Sequence, residues 1–158
     1  MIIPLSKLSM ISNPAELCST PYPGHRRGCP NLGEKYGCPP SAKRFDVWAD
    51  APYFAIVNEF SLQDHVNRMA DLHPTWSNRQ LECCLYWQQT ARKELEVLIA
   101  HFRCRHPDLI ICRCPEAAGV NVTQTLKDHG LLLEWPPKKI VRQVAIAAAL
   151  RSASCPTS

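Results

Sequence analysis

The sequence predicts an α/β domain in which helices pack on a small mixed sheet. Two apolar runs indicate strands. Residues 52–60 are aromatic and β-branched, and residues 108–112 read Asp-Leu-Ile-Ile-Cys, a short apolar run after an acidic residue that is typical of a strand covered on both faces. The stretch between them carries apolar residues at helical spacing, and such alternation of strand and helix is typical of α/β folds. A long loop near the N-terminus, residues 18–40, is rich in cysteine, proline and glycine and is predicted to bind a metal.

The predicted helices follow from their caps and their apolar stripes. Ser61 can cap a helix over residues 62–72, and Ser77 with Gln80 can form a capping box for a longer helix that ends near Phe102. The predicted apolar stripe of this longer helix contains Leu81, Cys84, Leu85, Leu95, Leu98, Ile99 and Phe102.

Regular elements are predicted toward the C-terminal end of the chain but not at its N-terminal end. Asn121 can begin a short helix that Gly130 ends, and residues 140–149 favour a strand although their alanines also suit a helix. Residues 1–17 show no periodic pattern, so we expect no regular element there.

Length and composition indicate one domain of a soluble protein. The chain has 158 residues and a net charge of +4, so we expect one domain over residues 1–151 and a flexible tail over 152–158. No apolar run could span a bilayer and no secretory signal is visible, which predicts a cytoplasmic protein without membrane contact. Nine cysteines, with Cys83 and Cys84 adjacent, then favour metal binding or core packing over disulfides.

The loop over residues 18–40 has almost nothing apolar to bury, so a metal centre is the simplest way to hold it together. Cys29 and Cys38 in this loop, and Cys114 far along the chain, are each followed by proline, as in ferredoxin-type cluster motifs. We predict these three as ligands of an iron–sulfur cluster, most simply 4Fe–4S. Zinc is the alternative, and it ranks second because these cysteines form no C-x2-C knuckle.

The sequence leaves the fourth ligand open. Cys18 lies in the same loop, Cys83 lies at the edge of the long predicted helix, and His25 is a further candidate. Cys84 and Cys112 are equally well explained as core residues, because free cysteine is often buried.

A resemblance adds to this interpretation. Residues 29–40 read Cys-Pro-Asn-x-Gly-x-x-Tyr-Gly-Cys-Pro-Pro, and residues 114–125 read Cys-Pro-Glu-Ala-Ala-Gly-Val-Asn-Val-x-x-Thr. Both segments resemble those of an uncharacterised family of predicted metal-binding proteins, whereas the middle of the chain matches that family poorly. The resemblance implies metal binding, most simply as an iron–sulfur cluster. Family members often carry an additional run of closely spaced cysteines that this sequence lacks, so one cluster is expected rather than two.

A second feature suggests a ligand pocket. At helical spacing, two glutamines, a thiol and an aromatic ring would share one face and could bind a flat heterocycle such as a nucleobase. These pocket candidates are Gln80, Cys84, Trp87 and Gln88. The alternative is that Trp87 belongs to the core and the glutamines lie at a solvated helix edge.

Basic residues flank the cysteine loop, at Arg26, Arg27, Lys43 and Arg44. They could attract an anionic substrate or a nucleic acid, but a solvated rim explains them as well, and a net charge of +4 does not distinguish the two.

Three functions are compatible with this sequence. The first is an iron–sulfur protein, which would be an enzyme if an open cluster iron bound a small molecule or nucleobase for sulfur transfer or removal. The second is a binding or accessory protein braced by zinc, and the third is an electron-transfer partner of another enzyme. The sequence does not decide whether the protein is an enzyme.

Overall fold

The computed structural model describes residues 1–21 and 25–151, so the predicted tail over 152–158 lies outside the described residues. The elements, in chain order, are β1 Ile2–Leu5, α1 Pro14–Ser19, α2 Phe45–Trp48, β2 Ala49–Ser61, α3 Leu62–Leu72, α4 Asn78–Leu81, α5 Cys84–Arg105, β3 Leu109–Cys112, α6 Val122–Asp128 and β4 Ile140–Leu150.

The architecture is a mixture of helices and one sheet, as predicted, but the sheet itself is not mixed. Its four strands lie in the order β1-β2-β4-β3, and every neighbouring pair is antiparallel. The prediction of a mixed sheet was therefore wrong. The helices do not carry the chain back to the same end of the sheet between strands, so no parallel pair forms. β3 is an edge strand whose residues are all half-buried, rather than a strand covered on both faces.

Both long predicted strands are confirmed. β2 and β4 pair along most of their length, with Ile56 opposite Ala145 and Phe60 opposite Val141. The alanines that left the second strand uncertain allow close packing, because Ala145, Ala147 and Ala148 are almost fully buried in the centre of the sheet.

The predicted caps are also present. The Ser61 hydroxyl accepts from the backbone N–H of Asp64 at 3.2 Å, and the Asn121 side chain accepts from that of Gln124 at 3.0 Å. Gly130 follows α6 with φ +84°, a conformation that glycine adopts without strain.

The long helix predicted from Ser77 is two helices. The capping box of Ser77 and Gln80 is present, but α4 ends at Leu81, and Cys83 has an extended backbone before α5 begins. The indole N–H of Trp87 donates to the carbonyl of Glu82 at 3.1 Å and so closes this break. The break also rotates the buried face of α5, whose buried residues are Trp87, Ala91, Leu95, Ile99 and Phe102.

The sequence placed Cys84 and Leu85 in the apolar stripe, and this prediction was wrong. Both are exposed, and Leu85 keeps 82% of its surface in contact with solvent. The prediction assumed one uninterrupted helical period, which the turn at Glu82–Cys83 interrupts.

The sheet separates two apolar layers. On one face α5 packs on the strands, through Leu95, Ile99 and Phe102 against Ile56 and Ala145. Trp87 and Ala91 extend this layer to Phe60, Leu62 and Val141 near α3. The opposite face packs against α2, α6 and the chain between β3 and α6, where the buried residues include Phe45, Val120, Leu126 and Ile146.

Two elements at the N-terminus were not predicted. β1 pairs with β2 through Ile2–Leu5, and α1 follows with an Asn13 side chain that accepts from the N–H of Ala15. Both are too short for a periodic pattern to stand out. Within the described residues, no helix is both long and apolar enough to cross a bilayer.

Candidate metal-binding site

The turn after β3, residues 114–121, holds several distant segments together. The backbone N–H of Ile11 donates to the carbonyl of Gly119 at 2.7 Å, and that of Phe45 donates to the carbonyl of Ala118 at 2.8 Å. Gly119 has φ +87°, a backbone conformation that glycine adopts without strain, so the position suits glycine. The chain before α1 and the start of α2 are thus bonded to this turn.

Arg44 strengthens the same junction. Its guanidinium donates to the carbonyls of Ile11 at 2.7 Å and Ser12 at 3.0 Å, and also to the carboxylate of Asp46 at 2.8 Å. These hydrogen bonds from Arg44 hold the pKa of the Asp46 carboxyl below its usual range. The far end of the cysteine loop is therefore fixed to the segment before α1.

α1 and the cysteine loop meet at a close backbone contact. The N–H of Cys29 donates to the carbonyl of Cys18 at 2.6 Å. Gly28, which is buried and has φ +81°, makes this approach possible, because a Cβ there would overlap the carbonyl oxygen of Cys18 and lie 2.8 Å from the carbonyl carbon of Ser19. This contact brings Cys18 beside Cys29.

The loop over residues 29–42 consists of consecutive turns. The N–H of Gly33 donates to the carbonyl of Pro39 at 2.9 Å, and the N–H of Ala42 donates to the carbonyl of Cys38 at 3.0 Å. These bonds fold the loop back on itself, so that Cys38 returns toward the segment that bears Cys18.

Electrostatics shows which thiols are neighbours. Burial raises the pKa of the Cys18 thiol, and the neighbouring thiols of Cys29 and Cys38, together with the carboxyl of Glu116, raise it further. Cys18 therefore interacts with both predicted ligands of the loop.

Cys114 interacts with the same group. Loss of hydration around its sulfur raises the pKa of this thiol even though the residue keeps exposed surface, and Glu116 and Cys38 act in the same direction. The positive charges of Lys35 and Arg92 lower it. We use the name cysteine cluster for the four residues that these interactions connect, Cys18, Cys29, Cys38 and Cys114.

Cys112 lies beside the cluster but faces inward. It packs against the buried residues on this side of the sheet. Burial raises its pKa to about 11, with further contributions from Cys114 and Glu116, so this thiol is protonated at neutral pH. That environment fits the interpretation of Cys112 as a core residue.

The cluster does not have ligand geometry as it stands. Within residues 1–21 and 25–151, no three His, Cys, Asp or Glu side chains form a group that could hold a metal ion. Cys83 is half-buried at the start of α5, where its backbone bonds to Gln80 and Tyr86. Cys84 and Cys104 are exposed on α5, and His25 is exposed in the loop.

Glu116 is a neighbour of the cluster that sequence reasoning did not single out. Its carboxyl influences the thiols of Cys18, Cys112 and Cys114, and loss of hydration raises its own pKa. The sequence signal that could have identified Glu116 is its position two residues after Cys114, a predicted ligand. The cation Arg92 could not have been found this way, because α5 brings it to Cys114 from a distant part of the sequence.

The four predicted pocket residues do not share an open face. Trp87 is 8% exposed and stacks on Phe60 with ring centroids 5.7 Å apart. The amide oxygen of Gln80 accepts from the backbone and hydroxyl of Ser77, both at 2.9 Å. Cys84 is exposed and Gln88 half-buried. These contacts match the alternative in which Trp87 belongs to the core.

We compared the chain with models of known protein families, with curated proteins and with solved structures, and none of them matches it.

Proposed function

We propose that this chain binds an iron–sulfur cluster, most simply 4Fe–4S, through Cys29, Cys38 and Cys114, with Cys18 as the fourth ligand. One observation carries the proposal: thiols from α1, the cysteine loop and the turn after β3 are electrostatic neighbours although they are far apart in sequence. Four cysteine thiolates are the usual ligand set of such clusters.

The same observation favours Cys18 over Cys83 as the fourth ligand. Cys18 accepts a backbone hydrogen bond from Cys29, and its thiol interacts with those of Cys29 and Cys38. Cys83 instead occupies the N-terminal cap position of α5.

The donor set fits a metal centre chemically. Raised pKa values keep the thiols of Cys18 and Cys114 protonated at neutral pH, so metal binding must displace their protons. Affinity should therefore rise with pH. Lys35 and Arg92 near Cys114 would offset part of the negative charge that four thiolates bring together.

A bound cluster would supply electron transfer or structural bracing when four cysteines hold it. The enzyme alternative, in which an open iron binds a substrate, would require Cys18 to stay unligated. Reduced thiols and a labile cluster suit the cytoplasm, where we place the protein.

The test is metal analysis of anaerobically purified protein. We expect about four iron and four acid-labile sulfide per chain, with broad absorption in the violet and blue. Cys29→Ala, Cys38→Ala and Cys114→Ala should each lose most of the iron, and Cys104→Ala, an exposed thiol on α5, is the matched control and should keep it.

Cys18→Ala and Cys83→Ala then identify the fourth ligand, because the proposal predicts iron loss only for the first. A colourless protein with one stoichiometric zinc would contradict the cluster and leave the zinc-braced accessory protein as the remaining candidate.

A further inference from the structure

A cavity of about 200 Å³ lies between the turn after β3, α6 and the start of β4, where Glu116, Thr123 and Val141 line it. Glu116 forms one wall and is also the carboxyl that influences Cys18 and Cys114. The volume is below that of pockets for drug-sized ligands, so it suits a single ring with its substituents.

Trp135 forms an aromatic wall of this cavity while leaving 73% of its own surface exposed. Within the described residues, its indole contacts no other aromatic ring, whereas Trp48, Trp76 and Trp87 each lie against one. A large, amphipathic ring left open beside a cavity offers a face on which a planar ligand can stack.

Among the residues that line the cavity, acidic side chains outnumber basic ones. Arg142 lines it, but its guanidinium is paired with Glu59 at 2.7 Å. Glu116 and Glu134 contribute carboxyls, and one oxygen of Glu134 already accepts from the backbone N–H of Lys138 at 3.1 Å. Acceptors therefore remain on both carboxyls, with no unpaired arginine to compete for a ligand's anionic groups.

From this arrangement we propose that the cavity is a binding site for a small planar cation or a nitrogen heterocycle rich in N–H donors. The ring stacks on Trp135, and the ligand's N–H groups donate to the carboxyls of Glu116 and Glu134. A cation over an indole and charge-assisted hydrogen bonds are both favourable in a partly desolvated site. An anionic ligand of the same shape is disfavoured.

The position of Glu116 gives this site its connection to the cluster. A ligand held there lies next to the residues that flank Cys114, and this connection alone rests on the proposed function. Binding itself requires no metal and can be measured on the metal-free chain.

The test uses three probes of one shape that differ in charge: benzamidine, benzamide and benzoate. Calorimetric titration of the metal-free full chain should show benzamidine binding at least 10-fold more tightly than benzoate, with benzamide between them. Trp135→Ala and Glu116→Gln should each weaken benzamidine binding at least 10-fold. Leu132→Ala removes an exposed side chain close in sequence and should leave the affinity unchanged.

Equal affinity for benzamidine and benzoate, no binding of any probe, or undiminished binding by Trp135→Ala would each overturn the proposal. Circular dichroism of each variant separates a lost site from a lost fold. Repeating the titration with Cys114→Ala separates the two proposals, because that variant should still bind benzamidine in the absence of any metal.

Discussion

Among single residues, Gly28 has the clearest structural requirement. It is buried, has φ +81°, and lies against the backbone of Cys18 and Ser19. In Gly28→Ala the new Cβ would overlap the carbonyl of Cys18 and lie 2.9 Å from the Cα of Ser19, in addition to the strain of a positive φ. We expect a loss of about 2 kcal/mol or more in the free energy of unfolding, measured by urea denaturation.

Gly33→Ala is the matched control for this prediction. Gly33 has a similar φ of +76° but nothing lies within 4 Å of its Cβ position, so only the strain applies and about 1 kcal/mol should be lost. Equal losses in the two variants would show that the contact with α1 does not contribute.

A second prediction at this scale concerns His65. Its side chain is 3% exposed, its Nε2 has no hydrogen-bond partner, and its ring packs against Phe60. Burial lowers the pKa of His65, and Arg68 lowers it further. The unfolded chain, where a histidine has a pKa of about 6.5, therefore takes up a proton before the folded chain does. Stability should fall as the pH drops below that value.

His65→Phe keeps a ring beside Phe60 and removes the titrating group. Urea denaturation at about pH 7.5 and about pH 5.5 should show a smaller loss of stability in this variant than in the wild type. The carboxyls near His65, such as those of Glu59 and Glu94, are present in both proteins, so the comparison isolates the histidine. Identical losses would rule out a contribution from His65.

Among the elements, the short helix α2 anchors the cysteine loop to the core. Phe45 at its start is 1% exposed, and its ring lies 4.7 Å from that of Trp48. Phe45→Ala should cost about 3–5 kcal/mol, because a large buried side chain is replaced by a cavity. Val47, on the same helix, is 63% exposed, so Val47→Ala should change stability by less than about 0.5 kcal/mol.

Thermal and urea denaturation measure both changes. If Phe45→Ala does not fold, Phe45→Leu gives the same direction with a smaller loss of about 1–2 kcal/mol. A neutral Phe45→Leu would contradict the anchoring role.

Local patterns predicted those elements whose signals lie within a few residues. Ser61 and Asn121 cap helices through contacts to residues three positions on, and the β-branched run of β2 needs no distant partner to be recognised. The break at Glu82–Cys83 depends on Trp87, and the pairing of β1 depends on β2, so tertiary contacts decided both.

The candidate site likewise combines features with a local sequence signal and features that depend on tertiary contacts. Cys29, Cys38 and Cys114 were predicted as ligands because each precedes a proline in a loop, and they stay a prediction. Cys18 and Cys29 can lie close together because Gly28 has no Cβ. Arg92 lies close to Cys114 because of how α5 packs. Neither leaves a pattern in the sequence.

For the whole molecule, the fold is built so that the cluster residues lie outside its apolar cores. None of the buried residues that hold the sheet between its two layers is Cys18, Cys29, Cys38 or Cys114. The sheet should therefore stay folded whether or not metal is present, and stability should differ between regions of the chain.

Metal removal tests this division. In cluster-loaded protein, the N–H groups of Cys29 and Ala42 should exchange slowly, because their hydrogen bonds to Cys18 and Cys38 lie within the segments that the proposed cluster would brace. After chelation these amides should exchange at least 10-fold faster, while those of the β2–β4 ladder, such as Ile56, should be unchanged. Cys104→Ala should respond to chelation as the wild type does. Faster exchange throughout β2 and β4 would mean instead that the metal stabilises the entire fold, and the cysteine loop would then be part of the cooperative unit rather than a separate region attached to it.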